Sequence, residues 1–281
     1  MRMTQTAEWR RKQSGEDTKT QGPVLDLKSV SVRYLTKSGL NTAVTDVSIA
    51  VEPGEFVSVV GPSGCGKSTL LHVAAGLIRP AGGKVTYLGQ AWTGLHPDVG
   101  YVTQKDTLLP WKSVIDNIAL PLQLKGMGRA ERRTTATEMA ENLGLGDYLR
   151  HFPAQLSGGM RQRVQLGRTL VIRPKLLLMD EPFGALDAYL RLRMQELLRS
   201  ILRGHPVSTL FVTHDLGEAI ALSNRVIALA GSPGRLGLDC AIESSVDRDD
   251  LMGMRSTPEF TEYQTRLWEV ISSGPSTGGR K

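Results

Sequence analysis

Cysteine is nearly absent from this chain: Cys65 and Cys240 are the only two in 281 residues. They form no Cys-x-x-Cys pair, which excludes a thiolate metal site and a disulfide framework. Cys65 lies in a glycine-rich loop where a disulfide would obstruct a ligand, so a reducing, cytosolic setting is expected. Long hydrophobic runs are also missing. None approaches the ~20 apolar residues that cross a bilayer, and the polar segment 1–22 has no apolar core of a secretory signal. Work at a membrane would require another chain as anchor. Aromatic residues make up 5% of the chain. None interleaves with the basic clusters Arg10-Arg11-Lys12 and Arg129, Arg132, Arg133. The net charge of +6 therefore reads as a solvated basic surface, not as a nucleic-acid site. No internal repeat of solenoid period occurs.

What is present is an α/β pattern long enough for one substantial core. Segments 1–22 and 272–281 are polar and expected to be disordered. Residues 25–34 and 47–51 alternate and read as antiparallel strands, and 56–60 is a β-rich run entering a glycine loop. A helix follows at 68–78, then short strands at 85–88 and 99–103. From 113 to 173 strand character disappears, which predicts an inserted helical subdomain, about 105–173 with its lead-in. Strands return at 175–179, 207–212 and 225–230, alternating with helices at 187–203 and 216–222. Residues 258–271 predict a last amphipathic helix with Phe260, Tyr263, Leu267 and Val270 on one side. The expected organisation is a domain over 23–243 and a C-terminal extension over 244–281 with one helix, to which no activity is assigned.

Gly61-Pro62-Ser63-Gly64-Cys65-Gly66-Lys67-Ser68 satisfies the phosphate-loop pattern, with a strand before it and a helix after. Its glycines let backbone N–H groups turn inward, Lys67 reaches the β- and γ-phosphates, and the Ser68 hydroxyl suits Mg²⁺. Leu176-Leu177-Leu178-Met179-Asp180-Glu181 is an apolar strand ending in two acids. Asp180 is placed to hold Mg²⁺ and Glu181 to orient or deprotonate water. Gln104 and His214 also follow strands. Each is either a structural hydrogen-bonding residue or a member of the site, with Gln104 on Mg²⁺ or water and His214 on the γ-phosphate. Tyr34 either stacks on an adenine or belongs to the core. A second phosphate-reading element stands at Leu156-Ser157-Gly158-Gly159-Met160-Arg161-Gln162, where a serine and two glycines open a helix. The chain either binds two nucleotides or shares one with a partner.

The set formed by residues 61–68, Gln104, 156–162, 176–181, Ala185-Leu186-Asp187 and His214 resembles the ATP-binding subunit of ABC transporters. The resemblance covers about 24–241, and the LSGGMRQ run makes it specific. No Asn-Lys-x-Asp guanine-reading motif is present. The resemblance implies a P-loop NTPase core with a mostly parallel sheet, an N-terminal antiparallel β subdomain and a mobile helical subdomain. It implies two subunits packed head to tail, each ATP lying between one subunit's Lys67 and the other's Ser157, Gly158 and Gly159. Asp187 would lie across that interface, Tyr34 would stack on adenine, and Thr69 and Gln162 would join the nucleotide-contacting residues. Mg²⁺ is the implied metal.

A narrower resemblance rests on Leu108-Leu109-Pro110-Trp111 and on Met179-Asp180-Glu181-Pro182-Phe183-Gly184-Ala185-Leu186-Asp187-Ala188. It points to importers of nitrate, sulfonates, taurine and similar solutes, with permease chains as partners and a solute-binding protein indirectly. The expected place is the cytoplasmic face of the membrane, attached peripherally through the permease. The 108–111 patch is either a docking surface for the permease or local packing. Tyr189-Leu190-Arg191 and Asn224-Arg225 depart from the family's usual pairings and bear on the solute, not on the ATP chemistry. Two other readings stand beside this one: a soluble ABC ATPase acting on nucleic acid or ribosomes, and a non-catalytic ATP-binding adaptor. The first usually carries paired cassettes or a long coiled-coil insertion, absent here. The second would tolerate loss of Glu181 or His214, and both are present.

Overall fold

The computed structural model describes residues 22–36, 39–92, 94–204 and 206–273. The expectations of disorder for 1–21 and 274–281 lie outside them. The chain begins with β1 (Leu25–Thr36) and β2 (Gly39–Val51), paired antiparallel with Leu25 opposite Val51 and Thr36 opposite Gly39. β2 thus begins well before the 47–51 segment marked by alternation. Two causes hide its first half: residues 39–41 are exposed on both faces, and three register shifts between Leu27 and Arg33 break the two-residue period. β3 (Phe56–Val60) leads into α1 (Lys67–Ala74). That helix stops short of the expected 78, and Gly76 has a positive φ of 71°. β4 (Gly82–Tyr87) and β5 (Gln90–Ala91) complete a four-stranded antiparallel sheet in the order β2-β1-β4-β5.

β6 (Val99–Val102) precedes the helical stretch, α2 (Val114–Leu124), α3 (Arg129–Asn142) and α4 (Gly158–Leu170). These helices pack closely. A Cβ on Gly167 would lie 2.5 Å from Leu143, so a larger residue there would force α3 and α4 apart. Then come β7 (Leu176–Asp180), α5 (Ala188–Gly204), β8 (Ser208–Val212), α6 (Leu216–Leu222) and β9 (Arg225–Ala230). β10 (Arg235–Ala241) was not apparent from the sequence, because an edge strand with mostly exposed side chains has no buried face to impose a pattern. The end of the chain differs from expectation in two respects. A short helix, α7 (Leu251–Arg255), precedes α8 (Pro258–Ser272), and Ser272 closes α8 instead of opening a disordered tail.

The second sheet has the order β10-β9-β3-β8-β7-β6, parallel throughout except for β10. Strands β3, β7 and β8 are buried at every residue. Their side chains alternate between two hydrophobic cores. Phe56, Val60, Leu177, Met179 and Phe211 enter the core shared with α2–α8. Val57, Val59, Leu176, Leu178, Leu210 and Val212 enter the core shared with α1, β1, β2 and β4. The C-terminal helices belong to the first of these cores, since Leu251, Met254, Phe260 and Leu267 are buried in it.

One buried side chain ties the loop after β6 to α2. Asn117 is fully buried and donates from Nδ2 to the carbonyls of Leu109, Lys112 and Ser113 at 3.2, 2.9 and 3.1 Å. Its Oδ1 accepts from the Leu109 N–H at 2.9 Å. Asn117→Ala strips these loop groups of their partner at a position whose own side chain is fully buried. The expected loss is about 2–3 kcal/mol of unfolding free energy, read from urea denaturation; a change within error would contradict this account of the loop.

Candidate functional site

Parallel strands that share a direction deliver all their C-terminal ends to one edge, and here four of those ends carry polar residues. After β3, residues 61–66 form a loop with positive φ at Gly61, Gly64 and Gly66. A Cβ on Gly66 would lie 2.4 Å from Val44 Cγ1 and 2.9 Å from the Ala43 carbonyl, so only glycine allows the loop to sit on β2. Gly66 is also the N-cap of α1 and supplies no side chain to satisfy the first helical N–H groups. Such a bare helix start, continuous with a loop of turned amides, is suited to an anion. Cys65 is fully buried beneath the loop, and burial pushes its thiol pKa up despite nearby Lys67. At this position the loop therefore presents backbone, not a reactive sulfur.

The charged residues of this edge are hydrogen-bonded to one another. Lys67 is buried, and its Nζ donates to the Gly61 and Pro62 carbonyls at 2.8 and 3.1 Å. The Ser68 hydroxyl donates to Asp180 Oδ1 at 2.9 Å. Burial pushes the Asp180 pKa up, and Ser68, His72 and Lys67 oppose the shift while Glu181 adds to it. Glu181 takes a left-handed backbone conformation, φ 42°, just beyond β7. A non-glycine residue held there stores strain, and its N–H is fixed on the Val212 carbonyl at 2.9 Å. Glu181 Oε2 meets His214 Nδ1 at 2.9 Å and accepts from Gln104 Nε2 at 3.4 Å. Lys67, Ser68, Gln104, Asp180, Glu181 and His214, each singled out from the sequence, thus lie together at one edge of the sheet.

Three other expected residues stand as follows. The Tyr34 ring is half-buried against the second core, and its hydroxyl donates to Thr69 Oγ1 at 3.2 Å, beside the loop. Asp187 Oδ1 accepts from the Leu190 N–H at 3.0 Å, capping the start of α5. Ser157 is exposed and caps α4 by accepting from Met160 N at 3.3 Å. Its hydroxyl proton is not used in that bond and is free to be donated to a further acceptor. Among the described residues, no hydrogen bond joins Ser157, Gly158, Gly159 or Gln162 to the 61–69 segment. Gly158 is exposed, whereas a Cβ on Gly159 would lie 2.5 Å from Leu190. The 108–111 patch divides: Leu108 is core and Trp111 is 71% exposed.

The residues that secure these groups lie mostly outside the sequence motifs. Gln165 in α4, almost fully buried, donates to the Thr103 carbonyl and hydroxyl, both at 3.0 Å. Arg168 donates to Thr107, and Arg161 pairs with Asp106 at 3.1 Å. The loop carrying Gln104 is therefore stitched to α4. The spacing of 161, 165 and 168 along one helix face was the available signal. Asn224 and Arg225 are structural: Asn224 accepts from the Phe56 N–H, and Arg225 grips Asp239 at 2.6 and 2.9 Å and Glu55 at 3.2 Å. The bidentate carboxylate holds the guanidinium pKa above its ordinary value.

A glycine loop on a helix start, a buried lysine, a serine hydroxyl on an aspartate and a glutamate just past the end of that strand define a P-loop nucleotide-binding site. The sequence comparisons narrow the class. Residues 44–184 match the family model described as ABC transporter. The chain is 43% identical over 260 residues to the aliphatic sulfonates import ATP-binding protein SsuB of Albidiferax ferrireducens, covering 92% of this chain and 87% of that protein. It is 40% identical over 255 residues to the taurine import ATP-binding protein TauB of Rhizobium johnstonii, covering 89% and 97%. The dimeric post-hydrolysis structure of the ATP-binding cassette MJ0796 bound to ADP and Pi superposes with a TM-score of 0.70 at 31% identity, covering 78% of this chain and 99% of that one. The chain belongs to the ABC transporter family and is an ATP-binding, ATP-hydrolysing cassette. Among the described residues no helix is long and apolar enough to cross a membrane.

The loop geometry separates two glycines. Gly66→Ala brings both the left-handed penalty and a backbone overlap, and it should cost more than about 2 kcal/mol of stability. At Gly64 a Cβ meets nothing within 4 Å, so Gly64→Ala should cost only the conformational penalty of about 1 kcal/mol. Equal unfolding free energies for the two variants, by urea titration, would refute the assigned packing.

Proposed function

We propose that this chain is the ATP-hydrolysing subunit of an importer for taurine or a related aliphatic sulfonate, working as a head-to-tail dimer beneath separate permease chains. The observation that carries the reading is the division of the phosphate-binding groups. One set is assembled around Lys67, Asp180 and Glu181. The other, at the start of α4, offers an exposed serine hydroxyl and glycine backbone with no hydrogen bond to that set. A second copy turned head to tail would bring the two halves onto one ATP. The names of the sulfonate and taurine relatives support the solute class. The permease is implied by import without a membrane-crossing helix in the described residues.

In this reading Lys67 exchanges its loop carbonyls for the β- and γ-phosphate oxygens, and the free N–H groups of the loop that ends at Gly66 stabilise the remaining charge. Glu181 Oε2 accepts a proton from the attacking water as the oxygen closes on phosphorus. His214 keeps that carboxylate aimed and donates toward the γ-phosphate, and Gln104 orients the same water. The partner's Ser157 hydroxyl, with Gly158 and Gly159, stabilises charge on the transferred group. Tyr34 stacks on the adenine, Thr69 and Gln162 complete the contacts, and Asp187 meets its counterpart across the interface. The Ser68 hydroxyl, the Asp180 carboxylate and the Gln104 amide are all oxygen donors, a set that fits Mg²⁺. When bound, Mg²⁺ would supply neutralisation of the phosphate charge.

Glu181→Gln should bind ATP while turnover falls by at least about a hundredfold, and the ATP-bound protein should elute as a dimer in size-exclusion chromatography. Turnover at the wild-type rate would remove Glu181 from the mechanism. Lys67→Ala and Ser157→Arg homodimers should each be inactive, while their mixture retains one complete composite site per heterodimer. Full activity of Ser157→Arg alone would overturn the shared site. Reconstitution with the copurifying permease and solute-binding protein should give ATP-dependent uptake of taurine or a short alkanesulfonate; uptake of neither would overturn the solute assignment.

A further inference from the structure

Behind His214, four elements contribute side chains to a polar chain that the hydrolytic reading leaves unused. Thr213 donates its hydroxyl to Glu218 Oε2 at 2.6 Å and accepts the Asp215 N–H at 3.1 Å. Glu218, in α6, is 3% exposed, and its other oxygen accepts from Gln195 Nε2 of α5 at 3.0 Å. Gln195 is fully buried, and its Oε1 accepts from Arg255 Nη2 of α7 at 3.0 Å. Arg191, one turn before Gln195, pairs with Asp215 at 3.2 Å and donates to the Leu186 carbonyl at 3.0 Å.

A buried carboxylate is costly unless donors surround it. Burial pushes the Glu218 pKa up and Asp215 adds to this, while the Thr213 and Gln195 hydrogen bonds and the Arg191 charge pull it back. The Gln195 amide is two-ended. It can donate to Glu218 only while its oxygen faces Arg255, because the reversed amide would turn a carbonyl onto the carboxylate. Arg255, which can only donate, and the Glu218 carboxylate, which accepts, together fix the sense of the amide, and Arg255 thereby steadies the grip of Glu218 on Thr213. Thr213 and Asp215 flank His214, whose exposed imidazole meets Glu181 at 2.9 Å. The backbone on either side of the ring is held by this chain of bonds.

We propose that Arg255, acting through Gln195, Glu218 and Thr213, is a positioning residue for His214, so that the helices after residue 243 form part of the support of the ATPase site. The inference rests on the assignment of His214 and Glu181 to that site. It gives a role to a segment for which the sequence suggested none, and it explains why α7 buries Leu251 and Met254 against the core.

The test compares Arg255→Met, Gln195→Leu, the double variant and Arg255→Lys in the full chain, by steady-state ATP hydrolysis and by NMR of the histidine rings. The His214 ring signal is assigned by its loss in His214→Ala. Each of the first two variants should lower kcat about fivefold to tenfold with KM for ATP changed less than about twofold. The double variant should be no worse than the weaker single, as for two links of one chain. Arg255→Lys should recover part of the loss, and the His214 signal should shift or broaden in Arg255→Met. An unmoved His214 signal in Arg255→Met overturns the proposal, as does an effect confined to KM. Arg255 is only half-buried, so that variant carries the test even where Gln195→Leu fails to fold. A wild-type chain without ATP turnover would overturn the hydrolytic assignment, whereas the ring signal would still decide whether Arg255 reaches His214.

Discussion

Strands β3, β7 and β8 have no face that tolerates water, and this requirement organises the molecule. Each must be covered on both sides, so the sheet acquires two cores: one shared with the helices from α2 onward, the other with α1 and the antiparallel sheet. Because these strands run parallel, covering them also aligns their ends. Lys67, Asp180, Glu181 and His214 are neighbours for that reason, although they are spread over much of the sequence. The alternation of Leu176 and Leu178 to one core with Leu177 and Met179 to the other leaves little freedom in register. A slip of one residue would invert both cores and carry Asp180 away from Ser68. Hydrophobic burial and catalytic geometry are therefore the same constraint viewed from the middle and from the edge of the sheet.

Much of this was legible in the sequence, and the failures have physical causes. The fully buried strands announced themselves as apolar runs bounded by turns, and the phosphate loop by glycines that no other residue could replace at Gly61 and Gly66. Features without a buried face were harder to see. β10 lies at an exposed edge, the outer half of β2 pairs with a strand whose register shifts, and α7 is too short to show a helical period. The site followed the same division. Residues that end strands could be read from position alone. Gln165, Gln195 and Glu218 are polar residues inside apolar packing whose value depends on partners distant in sequence, and Asn117 serves the carbonyls of an irregular loop just before it; periodicity reveals neither.

Strain and satisfaction are distributed unevenly around the site. Glu181 is held in a conformation that L residues rarely adopt, yet its N–H is bonded and its carboxylate is flanked by His214 and Gln104. The surrounding strands enforce what the residue alone would avoid. The result is a carboxylate fixed between His214 and Gln104. Lys67 shows the opposite economy. Its ammonium is held by two carbonyls of its own loop, bonds that a phosphate would have to replace.

The two glycines that open α4 differ in what stands opposite them. Beyond Gly159 the nearest atoms belong to Leu190, so a methyl at that position would press α4 away from α5. Beyond Gly158 a methyl would meet nothing closer than the end of Arg161 at 4.0 Å. Natural or engineered variation at these adjacent positions therefore reports on different things. A side chain at 159 measures the fit within one chain, and a side chain at 158 measures whatever approaches that helix from outside. Position 158 is where the surface is open to selection by a neighbour, and position 159 is where the fold has already decided.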